Sequence, residues 1–324
     1  MVPNKKKLRV AVLKGGPSPE HDVSLKSAMQ VATHLDRDRY DVNQVLVSRE
    51  GEWAVSPEEL KRQGTDIAFI AMHGVYGEDG TVQSILDEAG LPYTGSNATT
   101  SALAMNKFLT ARLIAHADMQ TPLSIFISRD EWERDRDSTL DRVRYYIHYP
   151  AVVKPNASGS SVGVYIVHDG HELAQALINV FAISREALVQ VFIEGREVTC
   201  AVLDRGTPES SFPLLPTEIV PRISTFFDYQ AKYEPGGSDE ITPADLREPH
   251  FSLVQKISRA VHRLVGARGF SRTDMIVNPL GQIFVLEINT IPGLTTESLL
   301  PKAAQASGIS FPKLLDTIVD ASFT

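Results

Sequence analysis

Glu287 and Asn289 stand two residues apart in FVLEINT (284–290), a run whose β-branched and large apolar residues read as a strand packed on both faces of a sheet. An unpaired charge in such a strand costs several kcal/mol or more, so the pair needs a partner. Just upstream, SRTDMIVNPLGQIF (271–284) carries two apolar runs interrupted by Pro279, Leu280 and Gly281, which supply turn chemistry. Folding back at that turn brings Asp274 beside Glu287. Side chains alternate along a strand, so Glu287 and Asn289 share a face, and cross-strand pairing can put Asp274 there too. Two carboxylates about 4 to 5 Å apart repel by roughly 3 to 4 kcal/mol at an effective dielectric near 20. A cation between them relieves this, and an all-oxygen donor set favours magnesium or manganese over zinc. The alternative is a structural pair neutralised by Arg272 or a lysine.

A magnesium ion held by few carboxylates completes its shell with water and substrate phosphates. No G-x-x-x-x-G-K-[ST] loop is present, so this is not a P-loop enzyme. The phosphate-binding candidate is VVKPNASGSSVGV (152–164), where Lys154 ends a strand and a Gly-Ser-Ser turn can aim N–H groups at phosphate oxygens. Lys107, at the start of the preceding helix, adds a second cation.

The elements that position these groups follow from periodicity. In the first hundred residues LRVAVL (8–13), VNQVLV (42–47) and DIAFIAM (66–72) alternate with helical spacing such as Leu25, Ala28, Ala32 and Leu35, the βαβ pattern of a parallel sheet. The first strand runs into GGPSPE rather than G-x-G-x-x-G, which argues against a dinucleotide-binding oxidoreductase. Strands are expected at 151–155, after the turn at 159–163, and at 188–193 and 197–203. An amphipathic helix at 171–186 presents Leu173, Ala176, Leu177, Val180 and Phe181, and a later one presents Val254, Ile257, Val261, Leu264 and Val265. Between them FFDYQAKYEPGGSDEITPADL (226–246) lacks either periodicity and reads as a long exposed lid or binding loop.

Composition narrows the function classes. The 324 residues allow about two or three domains. No apolar run reaches the about 18 residues of a membrane span, and the start reads without a secretory signal. Cys200 is the only cysteine, which excludes an internal disulfide and a cysteine zinc site and fits a cytoplasmic location. A formal charge of −8 with scattered Lys and Arg argues against nucleic-acid binding and leaves small-molecule chemistry.

K-P-x-x-x-G-S-S-V-G (154–163), the loop containing A-K-Y (231–233), and R-x-D followed by L-E-I-N-T-x-P-G (286–293) occur in one order. With GGPSPEHDVSL (15–25), HGVYGEDG (73–80) and PYTGSNATTSALAMNK (92–107), they make the chain resemble the ATP-grasp superfamily and, within it, the D-alanine:D-alanine ligases, over nearly its whole length. The resemblance implies an ATP-grasp fold with α/β and α+β parts. These are an N-terminal α/β substrate-binding domain with a Rossmann-like parallel sheet (1–106), a central lobe (107–192), and a C-terminal lobe (193–324) with the lid loop 226–246. It also implies ATP-dependent joining of two D-alanines through a D-alanyl phosphate, for peptidoglycan precursors, by a cytoplasmic homodimer.

Residue by residue, the resemblance places Lys107, Lys154 and Ser161 at ATP, Glu197 at the ribose, Lys232 at the terminal phosphate and Gln190 near the adenine, where the family often has a glutamate. Asp274, Glu287 and Asn289 look like ligands of two magnesium (or manganese) ions. Glu20 resembles the glutamate that holds the first D-alanine ammonium in a network with Ser160 and Tyr233; from sequence alone it equally suits a first helical turn after Pro19. Arg272 and the Gly293 N–H resemble the oxyanion site, Ser298 the holder of the second carboxylate, and His73 an active-site histidine. Tyr233 points to D-alanine as the second substrate. Ser84, Asn97 and Asn106 depart from the expected Gly, Gly and Asp.

Overall fold

The computed structural model describes residues 7–159, 162–222 and 237–323, with only the backbone at 207–209. The chain opens with β1 (Leu8–Gly15), α1 (His21–His34), β2 (Tyr40–Val47), α2 (Pro57–Arg62) and β3 (Ile67–Ile70). They form the expected parallel sheet, in the order β2-β1-β3, with Val10 paired to both Val42 and Ile67. Val10 to Leu13 are at most 1% exposed, as a central parallel strand covered on both faces requires. Three helices follow: α3 (Thr81–Ala89), α4 (Ala98–Met105) and α5 (Lys107–His116). Asn97 and Asn106 are the N-caps of α4 and α5, accepting from the Thr100 and Leu109 N–H groups. Asparagine caps as well as aspartate, so the departure at Asn106 leaves the start of α5 intact.

A second sheet comes from β4 (Ser124–Ser128), β5 (Ala151–Pro155), β6 (Tyr165–Val167) and β7 (Glu186–Val191), antiparallel in the order β4-β7-β5-β6. Helices α6 (Arg129–Arg134), α7 (Arg136–Tyr146) and α8 (Gly170–Ile183) cover it. The five apolar residues read from periodicity are the buried face of α8. This helix stops at Ile183, before the expected 186, because Ser184 turns extended and Glu186 already belongs to β7.

The third sheet contains β8 (Arg196–Arg205), β9 (Thr207–Pro213), β10 (Thr217–Pro221), β11 (Ser238–Ile241), β12 (Phe270–Val277) and β13 (Ile283–Asn289). Its order is β11-β10-β8-β12-β13, with β9 also on β8. Helix α9 (His250–Leu264) packs on it, and α10 (Leu299–Ala306) and α11 (Phe311–Asp320) close the chain. Strand β11 corrects the reading of 226–246 as loop throughout. It is an edge strand of polar sequence held by backbone pairing, Ile219 opposite Glu240, so no apolar alternation announces it.

Buried residues fall into three main clusters. Residues 125–189 supply the core of the second sheet alone. The core of the first sheet also takes Phe270, Leu300, Leu314, Leu315 and Ile318 from the end of the chain. Ile114 of α5 joins Val198, Met275 and Ile288 in the core of the third sheet. Lys107, at the head of α5, is therefore anchored to one sheet while facing another. Cys200, Met72, Met105 and Met275 are core residues. Among the described residues no helix is long and apolar enough to cross a membrane.

Candidate active site

The hairpin forms as read, with Asp274 opposite Glu287 and Arg272 opposite Asn289. One expectation is corrected: β13 is not buried on both faces. The register shifts between Asp274 and Met275, which leaves Leu286 without a cross-strand partner. Such a bulge re-aims the strand, so Leu286 and Glu287, adjacent in sequence, both line a cavity while Val285 and Ile288 stay in the core. The carboxylate that looked out of place in FVLEINT is on the open side of the sheet.

Each carboxylate has its own cation. Arg272 donates from Nε to Asp274 Oδ1 and from Nη2 to Oδ2, both at 2.8 Å, and Thr199 Oγ1 donates to Oδ1 at 2.7 Å. Lys107 Nζ lies 3.4 Å from Glu287 Oε2 and donates to the Ser158 carbonyl at 2.5 Å. Burial opposes the charge on Arg272, but Asp274 and Glu287 hold its guanidinium protonated.

Two cavities flank this hairpin. The first is lined by Glu20, His73, Glu78, Arg272, Gly293 and Ser298, among others. Lys154, Gln190, Glu197 and Asp274 line the second, with apolar walls from Val152, Phe192, Ile193 and Leu286. They share only Lys107, Ser158, Gly159 and Glu287 among the described residues, so these four mark the junction.

The phosphate-loop candidate enters at that junction. Asn156, fully buried, accepts from Phe108 N–H through Oδ1 at 2.9 Å and donates from Nδ2 to Glu186 Oε2 at 2.7 Å. Its carbonyl accepts from Lys107 N–H, so the segment after Lys154 caps the helix that starts at Lys107. Gly159 then passes so close to Glu20 that a Cβ on it would lie 2.8 Å from Glu20 Oε2. Glu20 itself is the N-cap residue of α1, and its side chain makes no capping bond; it points into the first cavity.

Two family-model matches cover the chain: the D-ala D-ala ligase N-terminus over residues 9–65 and 57–96, and the D-ala D-ala ligase C-terminus over 113–320. The chain belongs to the D-alanine–D-alanine ligase family. It is 41% identical over 316 residues to the D-alanine–D-alanine ligase of Syntrophobacter fumaroxidans, with 97% of each chain covered. Among solved structures it is similar to the VanG D-Ala:D-Ser ligase from Enterococcus faecalis, with a TM-score of 0.87 and 30% identity over 98% of this chain and all (100%) of that one. It is also similar to the Bacillus anthracis D-alanine–D-alanine ligase complexed with ATP, with a TM-score of 0.81 and 34% identity over 98% of both chains. The fold is the ATP-grasp fold of these relatives, with a parallel sheet at the N-terminus.

The other family-derived positions fall as follows. His73 is buried, with Nε2 2.8 Å from Ser27 Oγ and Nδ1 facing the Ile291 carbonyl at 3.2 Å and Glu78 Oε1 at 3.4 Å. Burial works against its protonation, but the hydrogen bond and charge of Glu78, then the charge of Glu20, raise its pKa above the ordinary value. Burial likewise raises Glu78, against the pull of His73. Ser298 is the N-cap residue of α10; its Oγ accepts from Thr295 N–H at 3.1 Å and lies 2.8 Å from Thr295 Oγ1. A Cβ at Gly293 would come within 2.6 Å of that hydroxyl, so glycine keeps Ser298 in place. Gln190 is buried and donates to Ser124 Oγ at 2.8 Å. Ser160, Ser161, Lys232 and Tyr233 lie outside the described residues.

Sequence reasoning missed Glu78, Asn156 and Glu240. Glu78 sits inside HGVYGEDG and was legible there as a carboxylate five residues after the histidine. Asn156 and Glu240 carry no local signal, because Asn156 meets Phe108 and Glu186, and Glu240 reaches the wall of the first cavity, only through elements distant in sequence.

The hairpin's donors fit an oxygen-preferring divalent cation. Asp274, Glu287 and Asn289 are all oxygen donors on adjoining positions of one hairpin. Asp274 accepts three of the about four hydrogen bonds a carboxylate can take, and Asn289 Oδ1 accepts one, from Ile291 N–H. Donor capacity therefore remains. Among the described residues no cluster of three His, Cys, Asp or Glu is present, so a cation held at this hairpin would draw its third protein donor from the Asn289 amide.

Proposed function

We propose that the chain joins two D-alanines at the cost of ATP, giving D-alanyl-D-alanine, ADP and phosphate. The observation that carries this reading is the junction of an acid-lined and an apolar, lysine-bearing cavity at Lys107, Ser158, Gly159 and Glu287. A carboxylate held in the first and a nucleotide held in the second meet there and nowhere else among the described residues. The three-part division at 106 and 192 is part of this proposal, as are a cytoplasmic location and a homodimer.

Glu20 receives the ammonium of the first D-alanine, with Ser160 and Tyr233 assigned to the same network by the family pattern. The carboxylate of that D-alanine attacks the terminal phosphorus as the bond to ADP breaks, giving D-alanyl phosphate. Lys107, Lys154 and, by the family pattern, Lys232 spread the charge on the transferred oxygens; Ser161, Glu197 and Gln190 orient the nucleotide. Asp274, Glu287 and Asn289 would hold two magnesium or manganese ions, which when bound neutralise phosphate charge.

The second D-alanine places its carboxylate at Ser298 and the N-terminus of α10, where helix N–H groups favour an anion. Its ammonium gives up a proton to water, the resulting amine attacks the acyl carbon, and phosphate leaves from the tetrahedral adduct as the adduct nitrogen loses its second proton to the departing phosphate or to water. Arg272 uses two of its five N–H donors on Asp274, so three remain for the oxyanion beside the Gly293 N–H. One such donor is worth about 3 to 4 kcal/mol.

The test is phosphate release from ATP and magnesium with D-alanine, L-alanine or D-serine, with products identified by mass. Magnesium-dependent D-alanyl-D-alanine from D-alanine is expected. Turnover that yields only a mixed dipeptide with D-serine would overturn the acceptor assignment, and no turnover with any amino acid would overturn the function.

A further inference from the structure

The family includes a ligase named for a D-Ser acceptor, so something in each chain must choose the second substrate. This inference rests on the reading proposed above, in which Ser298 holds the acceptor's carboxylate. Around Ser298 the cavity wall carries two further carboxylates, Glu240 and Glu297. Lys302 stands behind both, with Nζ 3.0 Å from Glu240 Oε2 and 3.0 Å from Glu297 Oε2. Burial opposes the charge on Lys302, but its bonds to Glu240 and then Glu297 outweigh this and raise its pKa.

The placement follows from packing. Leu299, at the head of α10, packs on Ile219, whose cross-strand partner on β11 is Glu240. Lys302 is three residues beyond Leu299 and so lies on the same helix face. Glu240 is the better shielded acid, with its side chain 19% exposed against 84% for Glu297. Two carboxylates against one ammonium leave a local charge of −1.

We propose that Glu240, Lys302 and Glu297 set the charge of the acceptor end and thereby select a zwitterionic amino acid over the isosteric hydroxy-acid anion. An amino-acid acceptor arrives with a positive nitrogen, and that nitrogen becomes positive again once it has bonded to the acyl carbon. A hydroxy acid arrives with its negative charge alone. A negative wall therefore favours the first over the second at binding.

The test is a competition between D-alanine and D-lactate for D-alanyl phosphate, with dipeptide and ester quantified by mass. Glu240→Gln brings the local charge to zero and should raise the ester fraction at least about threefold. Lys302→Met makes it −2 and should lower the fraction, whereas the double variant returns to −1 and to the parental ratio. Lys302→Arg keeps the charge and should keep the ratio, which separates charge from packing. An ester fraction unmoved by Glu240→Gln, ester undetectable in every variant, or a double variant that fails to revert would each overturn the inference. Dipeptide formation by the unaltered chain reports on the ligase reading itself, so a failed charge series in an active enzyme sinks only the selectivity argument.

Discussion

Asn156→Ala tests whether the loop after Lys154 and the helix after Lys107 act as one unit. The amide makes two side-chain hydrogen bonds, one from the Phe108 N–H at 2.9 Å and one to the Glu186 carboxylate at 2.7 Å. A neutral bond of this kind is worth about 1 kcal/mol and one to a charged group about 1.5 to 3 kcal/mol, so their joint loss costs roughly 2 to 4 kcal/mol. At about 2 °C per kcal/mol for a chain of this size, the thermal transition should fall by about 4 to 8 °C. The Asn106 cap and the backbone bond from Lys107 N–H to the Asn156 carbonyl remain, but without the amide the first turn of α5 loses its Phe108 bond to the loop. Lys107 is then held less firmly at the cavity junction, and the KM for ATP should rise about tenfold, equivalent to about 1.4 kcal/mol. Asn156→Asp keeps the acceptor for Phe108 but faces Glu186 with a like charge, so it should be no more stable than the alanine variant. Calorimetry and initial-rate kinetics read both effects. A transition within about 1 °C of the parent, together with an unchanged KM for ATP, would refute the coupling.

Two further outcomes follow from the site. Glu78 and His73 both hold protons more tightly in the folded chain than their ordinary values of 4.5 and 6.5 allow, so the folded state carries excess protons and stability falls as pH rises, above 4.5 for the first and above 6.5 for the second. The melting temperature of the parent should therefore drop more steeply from about pH 6 to 9 than that of the His73→Gln, Glu78→Gln double variant, and equal slopes would contradict the assignment. Gly293→Ala would bring a methyl group within 2.6 Å of Ser298 Oγ and displace it from its two Thr295 contacts, so the acceptor KM should rise at least about tenfold while the KM for ATP holds; matched changes in both constants would place Ser298 elsewhere in the reaction.

What was legible in the sequence were features encoded within a few residues. The turn at 279–281 implied the hairpin, and the hairpin implied the Asp274–Glu287 pairing that the register contains. The spacing in α8 named its buried face. The illegible features are those set by partners far along the chain. Strand β11 exists because β10 offers it backbone groups, not because SDEI favours a strand. The bulge at Leu286 could not be read either, since a two-residue alternation drawn on FVLEINT assigns Leu286 and Glu287 to opposite faces.

That bulge explains how one short strand can serve both cavities. Without it, Glu287 would follow the alternation set by Val285 and point into the core, where its charge would lack water and partner. The extra residue turns Glu287 and Asn289 outward while Val285 and Ile288 remain in the core. The same displacement puts Glu287 within 3.4 Å of Lys107, a residue anchored through Ile114 to the third sheet and through Asn156 to the second. The junction is thus held by three independent constraints: the bulged hairpin, the α5 core contact and the Asn156 cap. Relaxing any one of them loosens a carboxylate from the cation it needs, so catalysis should weaken before the cores themselves unfold.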